Sequence, residues 1–444
     1  MDERKGIYVI THGCQMNQYD SRRMKESVAE EYREVENPAD ADLIIINTCS
    51  VREKPQKKVL AELGRLKPLK QRKPELILVV AGCVAEQVKD ELLSHAPFLD
   101  LVLGPDAEAH LPRHLADIRD GRRLAVTGFQ SGGFSLDSHS PLESLGQGGA
   151  VTAFVAAQKG CNHFCSYCIV PHVRGREKSR PLPEIVAETR QLASRGVREV
   201  TLLGQNINAY GLDFKDGADF EALLEAVAAV EGIERLRFVT SHPAVMTDRH
   251  VEAIARLDKV CEYLHLPIQA GSDRVLAAMR RGYTQADYRK LVEKLKHRVP
   301  DLALSGDVIV GFPGETEADF RETLNVVRDV EYATLYMFLY SPRPGTKAAQ
   351  FDDSAPKETK MAWLEELQTL QKTCTRQANE KLVGSVREVL VEDFSKRDAG
   401  AVSGRTRCNK IVNFKAPPDR LGRFVRVRIT RAYQNSLYGE EFAD

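Results

Sequence analysis

The sequence predicts an α/β protein in three parts: a parallel α/β domain, a central (β/α)6 partial barrel and a small C-terminal β-barrel. Two observations predict it. Short apolar runs alternate with charged helical stretches as far as about residue 350, and such alternation folds through right-handed crossovers into parallel sheets. From about residue 382 the pattern becomes strand-rich and helix-poor, the habit of a small closed sheet.

The first part spans about residues 1–127. GIYVITHGC, ADLIIINTC and ELILVVAGC are apolar runs that each end in cysteine, separated by the helical stretches SRRMKESVAEEY and REKPQKKVLAELGRL. Residues 128–149, GFQSGGFSLDSHSPLESLGQGG, are rich in Gly and Ser and read as a linker. The second part spans 150–381. Six strand-like runs, TAFVAAQ, EVTLLGQ, RLRFVTS, EYLHLPIQ, LALSGDVIVGF and TLYMFLYS, alternate with helical segments such as LPEIVAETRQLASRG, DFEALLEAVAAVEG and ADFRETLNVVRDV. Six βα repeats resemble part of a TIM barrel, which places functional loops at the strand C-termini. A long amphipathic helix near Lys357–Lys381 follows, and the third part, 382–444, carries SVREVLVEDF, NKIVNF and RFVRVRIT.

Composition narrows the class. The 444 residues hold 63 Lys and Arg against 63 Asp and Glu, so bulk charge points to no partner and any basic patch is local. The start, MDERKG, is charged and is no secretory signal. Apolar runs such as LILVVAGCVA have the length of core strands and are too short to span a bilayer. A cytoplasmic protein with no membrane partner is expected. Its nine cysteines then read as thiols or metal ligands rather than disulfides.

Three of the nine lie in KGCNHFCSYCIVPHVRGREKSRP, from Lys159 to Pro181. Cys161, Cys165 and Cys168 form C-x3-C-x2-C, and thiolates suit zinc or iron–sulfur clusters. Zinc normally takes four protein ligands, and the next cysteine is Cys261. His163 or His172 completing a Cys3His site keeps zinc open; so does a cubane cluster with three irons held and the fourth free. Cys14, Cys49 and Cys83 form a second set, 35 and 34 residues apart, each closing an apolar run. In a parallel sheet the strand C-termini share one edge, so these thiols are placed to converge. Buried core cysteines are the alternative reading.

C-x3-C-x2-C with Tyr167 before its last cysteine, after the first strand of a six-fold βα unit, resembles the radical S-adenosylmethionine superfamily. That resemblance implies a [4Fe-4S] cluster on Cys161, Cys165 and Cys168 whose open iron binds S-adenosylmethionine and, on one-electron reduction, yields a 5′-deoxyadenosyl radical. HGCQMN, NTCSVREK, CIVPHVRGREKSRP, LPIQAGSDRVLAAMRRGYT, DVIVGFPGET and YSPRPGT resemble the methylthiotransferases over nearly the full length. GRTRCNKIVNF is similar to that family's C-terminal TRAM domain, with Cys408 an unusual residue there. The family implies a second [4Fe-4S] cluster on Cys14, Cys49 and Cys83 that carries the sulfur to be methylated. One S-adenosylmethionine methylates the sulfur, and a second makes the radical that takes hydrogen from C2 of adenine. NTCSVREK and YSPRPGT favour the branch acting on the tRNA anticodon stem-loop that carries isopentenyladenosine. A one-electron reductant and a sulfur donor are the further partners it implies.

Strand-end residues are the candidates for cosubstrate contact: Gln205 and Asn206, Ser241 and His242, Gln269, and Val310 with Gly311, beside Tyr167. Gly311 and Gly314 are expected to let backbone approach the adenosyl group, and Arg280 of MRRGY to meet the cosubstrate carboxylate. No catalytic side chain stands out. Residues 404–431 hold nine Lys or Arg and one acid, Asp419, punctuated by Phe414 and Phe424 and followed by Tyr433, which suits phosphate contact with base stacking. Arg405, Arg407, Asn409 and Lys410 are the leading RNA contacts, with a solvated β-face as the alternative. The rival functions are methylthiolation of threonylcarbamoyladenosine in tRNA, methylthiolation of a ribosomal-protein aspartate, and a zinc-dependent RNA-binding module.

Overall fold

Apolar runs six residues long cannot alternate inside and outside; they need cover on both faces, and the first sheet supplies it. The computed structural model describes residues 3–50, 55–129, 134, 150–215, 217–353, 355–395, 398 and 400–442. Its strands β1 (Lys5–His12), β2 (Tyr32–Glu34), β3 (Leu43–Thr48), β4 (Ile77–Gly82), β5 (Leu101–Leu103) and β6 (Leu124–Val126) form one sheet in the order β2-β1-β3-β4-β5-β6, parallel throughout. Ile44 and Ile46 of β3 pair in register with Leu78 and Val80 of β4 and pack on one face with Val59 and Leu63 of helix Pro55–Arg72. Leu43, Ile45, Ile77 and Val79 fill the other face with Met24 and Leu111. Each such side chain contributes about 1.5–3 kcal/mol on burial. A parallel sheet covered on both sides is the only sheet these continuous runs can make in water.

The chain divides into two compact units. The first comprises the described residues of 1–148, 154–162 and 169–185, and the second those of 149–153, 163–168 and 186–444. The linker expected at 128–149 lies outside the described residues except for Gly128, Phe129 and Phe134. After it come β7 (Thr152–Ala156), whose first residues count with the second unit, and the short antiparallel pair β8 (Gln158–Lys159) and β9 (Lys178–Ser179) of the first.

In the second unit β10 (Glu199–Leu203), β11 (Arg235–Val239), β12 (Tyr263–His265), β13 (Ala303–Val310) and β14 (Thr334–Leu339) continue the barrel. They form two sheets, β11-β10-β7 and β12-β13-β14, with β10–β11, β12–β13 and β13–β14 parallel, bridged where Leu236 pairs with Val260. Helices Asp248–Arg256, Gln285–Arg298 and Glu317–Val330 each start at a threonine, Thr247, Thr284 or Thr316, in a capping box with the residue three positions on. Each cap contributes about 1 kcal/mol. The architecture is the expected partial barrel. No helix of the described residues is long and apolar enough to cross a membrane.

The C-terminal part is a closed five-stranded barrel of β15 (Val386–Phe394), β16 (Ala401–Thr406), β17 (Ile411–Lys415), β18 (Phe424–Ala432) and β19 (Leu437–Glu441). Val389, Val391, Val402, Phe414, Val427 and Ile429 make its core. Two arginines of β11 anchor it. Arg235 donates to Arg405 O at 2.8 Å and Glu388 O at 3.0 Å; Arg237 donates to Arg407 O at 2.7 Å, Thr406 O at 2.8 Å and Glu199 Oε1 at 2.7 Å. Arg407 returns the contact, donating to the Glu262 carboxylate and to the carbonyls of Asp258 and Val260. The basic run therefore serves partly to dock this barrel on the larger one.

Candidate active site

Cys14, Cys49 and Cys83 lie at the C-terminal ends of β1, β3 and β4, three neighbours of one parallel sheet. Helix Gln15–Ser27 begins directly after Cys14, and helix Cys83–Val88 begins on Cys83. The turns that bring the thiols together need glycine. A Cβ on Gly13 falls 2.6 Å from Cys49 Cβ, and one on Gly82, at φ +90°, falls 2.4 Å from Asn47 Oδ1. Two fully buried asparagines clamp the turns: Asn17 Nδ2 donates to Asn47 Oδ1 at 3.0 Å, and Asn47 Nδ2 donates to Asn17 O and Ser21 Oγ, both at 3.0 Å.

The thiol of Cys49 hydrogen-bonds both Cys14 and Cys83. That bond draws Cys14 down to about 6 and Cys83 down to about 7 against the opposing effect of burial, while Cys49 is pushed up, its proton held between its neighbours. Thiols whose acidity is raised in this way suit a soft metal, which binds the thiolate form. Arg174, on the turn after the short helix Val170–Val173, donates from Nε to Cys83 Sγ at 3.3 Å and from Nη2 to Asp20 Oδ2 at 2.6 Å. Among the described residues no group of three or more Cys, His, Asp and Glu side chains is already arranged as a metal cage.

Cys161 belongs to the first unit, where its N–H donates to Gly175 O at 3.2 Å. Cys165 and Cys168 belong to the second, in a turn closed by Cys168 N to Cys165 O at 3.0 Å. Ser166 fixes this turn by donating from N to Met279 O at 3.0 Å and from Oγ to Ala278 O at 2.8 Å. Arg281 Nη1 donates to Cys165 Sγ at 3.3 Å and to Tyr167 OH at 3.4 Å; its Nη2 donates to Pro267 O at 3.0 Å. His163 stacks on His242 with ring centroids 3.7 Å apart, and burial lowers the pKa of both rings, leaving them neutral. His172 is exposed.

The cosubstrate candidates other than Tyr167 and Arg280 follow or end the barrel strands. Gln205 and Asn206 follow β10, Ser241 and His242 follow β11, Gln269 follows β12, and Val310 ends β13. Thr240 Oγ1, Ser241 Oγ, His242 Nε2 and Gln269 Oε1 are buried and meet no hydrogen-bond partner among the described residues. Buried polar atoms of this kind cost free energy unless a ligand or water satisfies them, so this edge fits a polar ligand such as the cosubstrate. Arg280 is exposed, at φ +59°, while its buried neighbour Arg281 donates to Cys165 Sγ. Gly311 does not open its backbone to a ligand: its N–H is held by Glu315 Oε2 at 2.5 Å, and the space a Cβ would fill holds the Lys360 side chain at 2.6 Å. Gly314 stands clear, with Arg274 Nη1 at 4.0 Å from a Cβ there.

The four RNA candidates part ways. Arg407 is committed to Glu262, and Lys410 Nζ donates to Ala333 O at 3.1 Å, both against the larger barrel. Arg405, 43% exposed, reaches Glu392 at 3.5 Å and Asn409 Oδ1 at 3.4 Å. Cys408 accompanies Arg407 in a cleft with Asp301 and Arg387. Of the aromatics, Phe414 is core, Phe424 lies under Arg198 and Arg235 at 4.7 Å each, and Tyr433 alone is exposed. Arg426 and Arg428, inside the basic run but not among the leading contacts, alternate outward along β18 beside the Phe442 ring. Sequence reasoning missed Asp20, Asn17, Asn47, Arg174 and Arg281, single polar residues whose roles depend on tertiary contacts.

Residues 155–327 match the radical SAM superfamily, 6–104 match an uncharacterised protein family, UPF0004, and 380–441 match the TRAM domain. The fold is similar to that of the radical S-adenosylmethionine methyltransferase TsrM from Kitasatospora setae, solved with cobalamin and a [4Fe-4S] cluster bound; the TM-score is 0.57 at 14% identity, over 78% of this chain and 77% of that one. The cobalamin-dependent S-adenosylmethionine radical enzyme OxsB gives a TM-score of 0.56 at 12% identity, over 83% and 56%. These two likenesses concern the fold alone. Curated tRNA-2-methylthio-N(6)-dimethylallyladenosine synthases are far nearer: 47% identical in Chromobacterium violaceum, covering 98% of both chains, and 46% in Syntrophotalea carbinolica, covering 98% and 99%. With nearly half its residues identical to theirs over 98% of its length, the chain belongs to the family of tRNA-2-methylthio-N(6)-dimethylallyladenosine synthases, a family of radical SAM enzymes.

Proposed function

We propose that this chain transfers a methylthio group to C2 of N6-dimethylallyladenosine beside the tRNA anticodon, using two S-adenosylmethionine molecules and two [4Fe-4S] clusters. The observation that carries the two-cluster reading is the set of three strand-end thiols in which Cys49 hydrogen-bonds both Cys14 and Cys83, in a chain that also bears C-x3-C-x2-C. Cys161, Cys165 and Cys168 would hold one cluster and Cys14, Cys49 and Cys83 the other. When bound, such clusters supply one-electron chemistry that side chains cannot. The protein's own part is placement. Gln205, Asn206, Ser241 and Gln269 orient the cosubstrate at the strand ends, Tyr167 borders it, and Arg281 and Arg174 hold one ligand thiol of each set.

The substrate is tRNA, and the RNA surface follows the outward arginines of β18, Arg426 and Arg428, with Arg405, Asn409 and exposed Tyr433 as flanking contacts. Arg407 and Lys410 support the surface by docking the small barrel. A cytoplasmic location, an external one-electron reductant and a separate sulfur donor complete the reading. Anaerobically reconstituted protein, given S-adenosylmethionine, dithionite and tRNA carrying either dimethylallyladenosine or threonylcarbamoyladenosine, should give methylthiolated nucleoside by mass analysis from the first only. Product from the second alone, or modification of a ribosomal protein in place of tRNA, would overturn the substrate assignment.

A further inference from the structure

Each cysteine set has one buried arginine hydrogen-bonded to one of its thiols at 3.3 Å, and the two arginines are balanced differently. Arg174 is closed by a carboxylate: Asp20 accepts from it at 2.6 Å, and the two side chains are only 5% and 11% exposed. The other charged groups near Asp20 offset one another. Lys159 pairs with Asp106 at 2.7 Å; burial holds the Glu108 carboxyl well above the ordinary carboxylate range and raises Asp20 as well, but at Asp20 the charge and hydrogen bond of Arg174 oppose it. Arg281 has no carboxylate on it among the described residues. Its partners besides Cys165 are the Tyr167 hydroxyl, the Tyr283 hydroxyl at 2.9 Å and the Pro267 carbonyl.

A cation or N–H donor at a cluster sulfur stabilises the more negative, reduced state and raises the reduction potential. An anion that neutralises the cation removes the coulombic share and leaves the hydrogen bond. The two arginine–thiol contacts are of equal length, and what differs between the two arginines is the Asp20 carboxylate. We propose that Arg281 and Arg174 are positioning residues of the two clusters and that Asp20, by neutralising Arg174, holds a cluster on Cys14, Cys49 and Cys83 below the barrel-loop cluster in reduction potential. A one-electron donor then fills the barrel-loop cluster first, where cosubstrate cleavage needs the electron. No bond is made or broken in this step; one electron leaves the donor and one cluster is reduced. The inference rests on the two-cluster reading above.

The test uses the full chain in two parent variants: Cys161→Ala, Cys165→Ala, Cys168→Ala keeps the first-unit cluster, and Cys14→Ala, Cys49→Ala, Cys83→Ala keeps the other. Midpoint potentials are read by redox titration under electron paramagnetic resonance, with dithionite as the donor. The second parent should have the higher potential. Asp20→Asn in the first parent should raise the reduced-to-oxidised ratio about tenfold at a fixed poise, a shift of about 59 mV. Arg281→Met in the second parent should lower that ratio by a similar factor, with Arg281→Lys restoring part of it. Should Arg281→Met lose its iron, the order of the two parents and the Asp20→Asn shift decide. Reversed order, or an unmoved potential in an Asp20→Asn protein that keeps its iron and its circular dichroism, overturns the proposal. A first parent that binds no iron overturns the two-cluster reading instead.

Discussion

In the first unit three thiols arrive from positions 35 and 34 residues apart, whereas in the barrel loop three come from eight consecutive residues. The distant set exists only because β1, β3 and β4 are neighbours in register and because Gly13 and Gly82 let their turns close. The local set needs little beyond its own loop, pinned to the barrel through Ser166. The spacing of a local motif advertises its chemistry, while a distributed motif hides it in topology. The difference also predicts unequal fragility: backbone changes in the turns that close the distributed set should empty that site and spare the local one.

The largest such break is Gly82→Ala. Its Cβ meets Asn47 Oδ1 and, at 2.6 Å, the Thr48 carbonyl, at a backbone φ that side chains resist. A strain of about 1–3 kcal/mol is expected at this turn. The variant should lose about four of about eight irons and retain 5′-deoxyadenosine formation. Phe164→Gly, at the left-handed position of the barrel loop (φ +46°), should keep the full iron content. Iron and sulfide assays on the two proteins check the contrast; equal losses would mean that the two sites do not differ in this way.

A smaller effect is expected from changes that touch neither cysteine set. Arg426→Ala with Arg428→Ala should weaken tRNA binding and flatten its log–log salt dependence by about two units, roughly one per phosphate contact. Arg407→Ala should instead lower the melting temperature, because it strips Glu262 of its partner. Filter binding across salt concentrations, beside thermal melts, separates the two. An unchanged slope in the double variant places the RNA surface elsewhere.

Much of this was legible in the sequence, and the failures have physical causes. The continuous runs around Ile44–Ile46 and Leu78–Val80 announced a sheet buried on both faces, and all six barrel strands were visible. The three-residue strands β2, β5 and β6 carry too few residues to show a period. Strands β16 and β19 hid because each contains a glycine where another strand passes closely: a Cβ on Gly404 falls 2.1 Å from Leu390 O, and one on Gly439 falls 2.6 Å from Arg428 O. At the site, the cysteines stood out through residue type and spacing. In MRRGY nothing distinguishes Arg280 from Arg281; the end of helix Asp273–Ala278 decides which of them points inward. Likewise the run from Arg405 to Arg431 showed its charge but not which arginines dock and which face solvent.

The account stands on a division of labour between the two cysteine sets, and one side-by-side measurement tests it. The two triple-alanine variants, folded by circular dichroism and reconstituted anaerobically, are each incubated with S-adenosylmethionine, dithionite and dimethylallyladenosine-bearing tRNA. 5′-Deoxyadenosine and methylthiolated nucleoside are quantified in the same sample. Loss of Cys161, Cys165 and Cys168 should abolish both products, whereas loss of Cys14, Cys49 and Cys83 should leave 5′-deoxyadenosine and remove the methylthiolated nucleoside. Methylthiolated tRNA from the second variant would show that the strand-end thiols are packing residues and contradict the account.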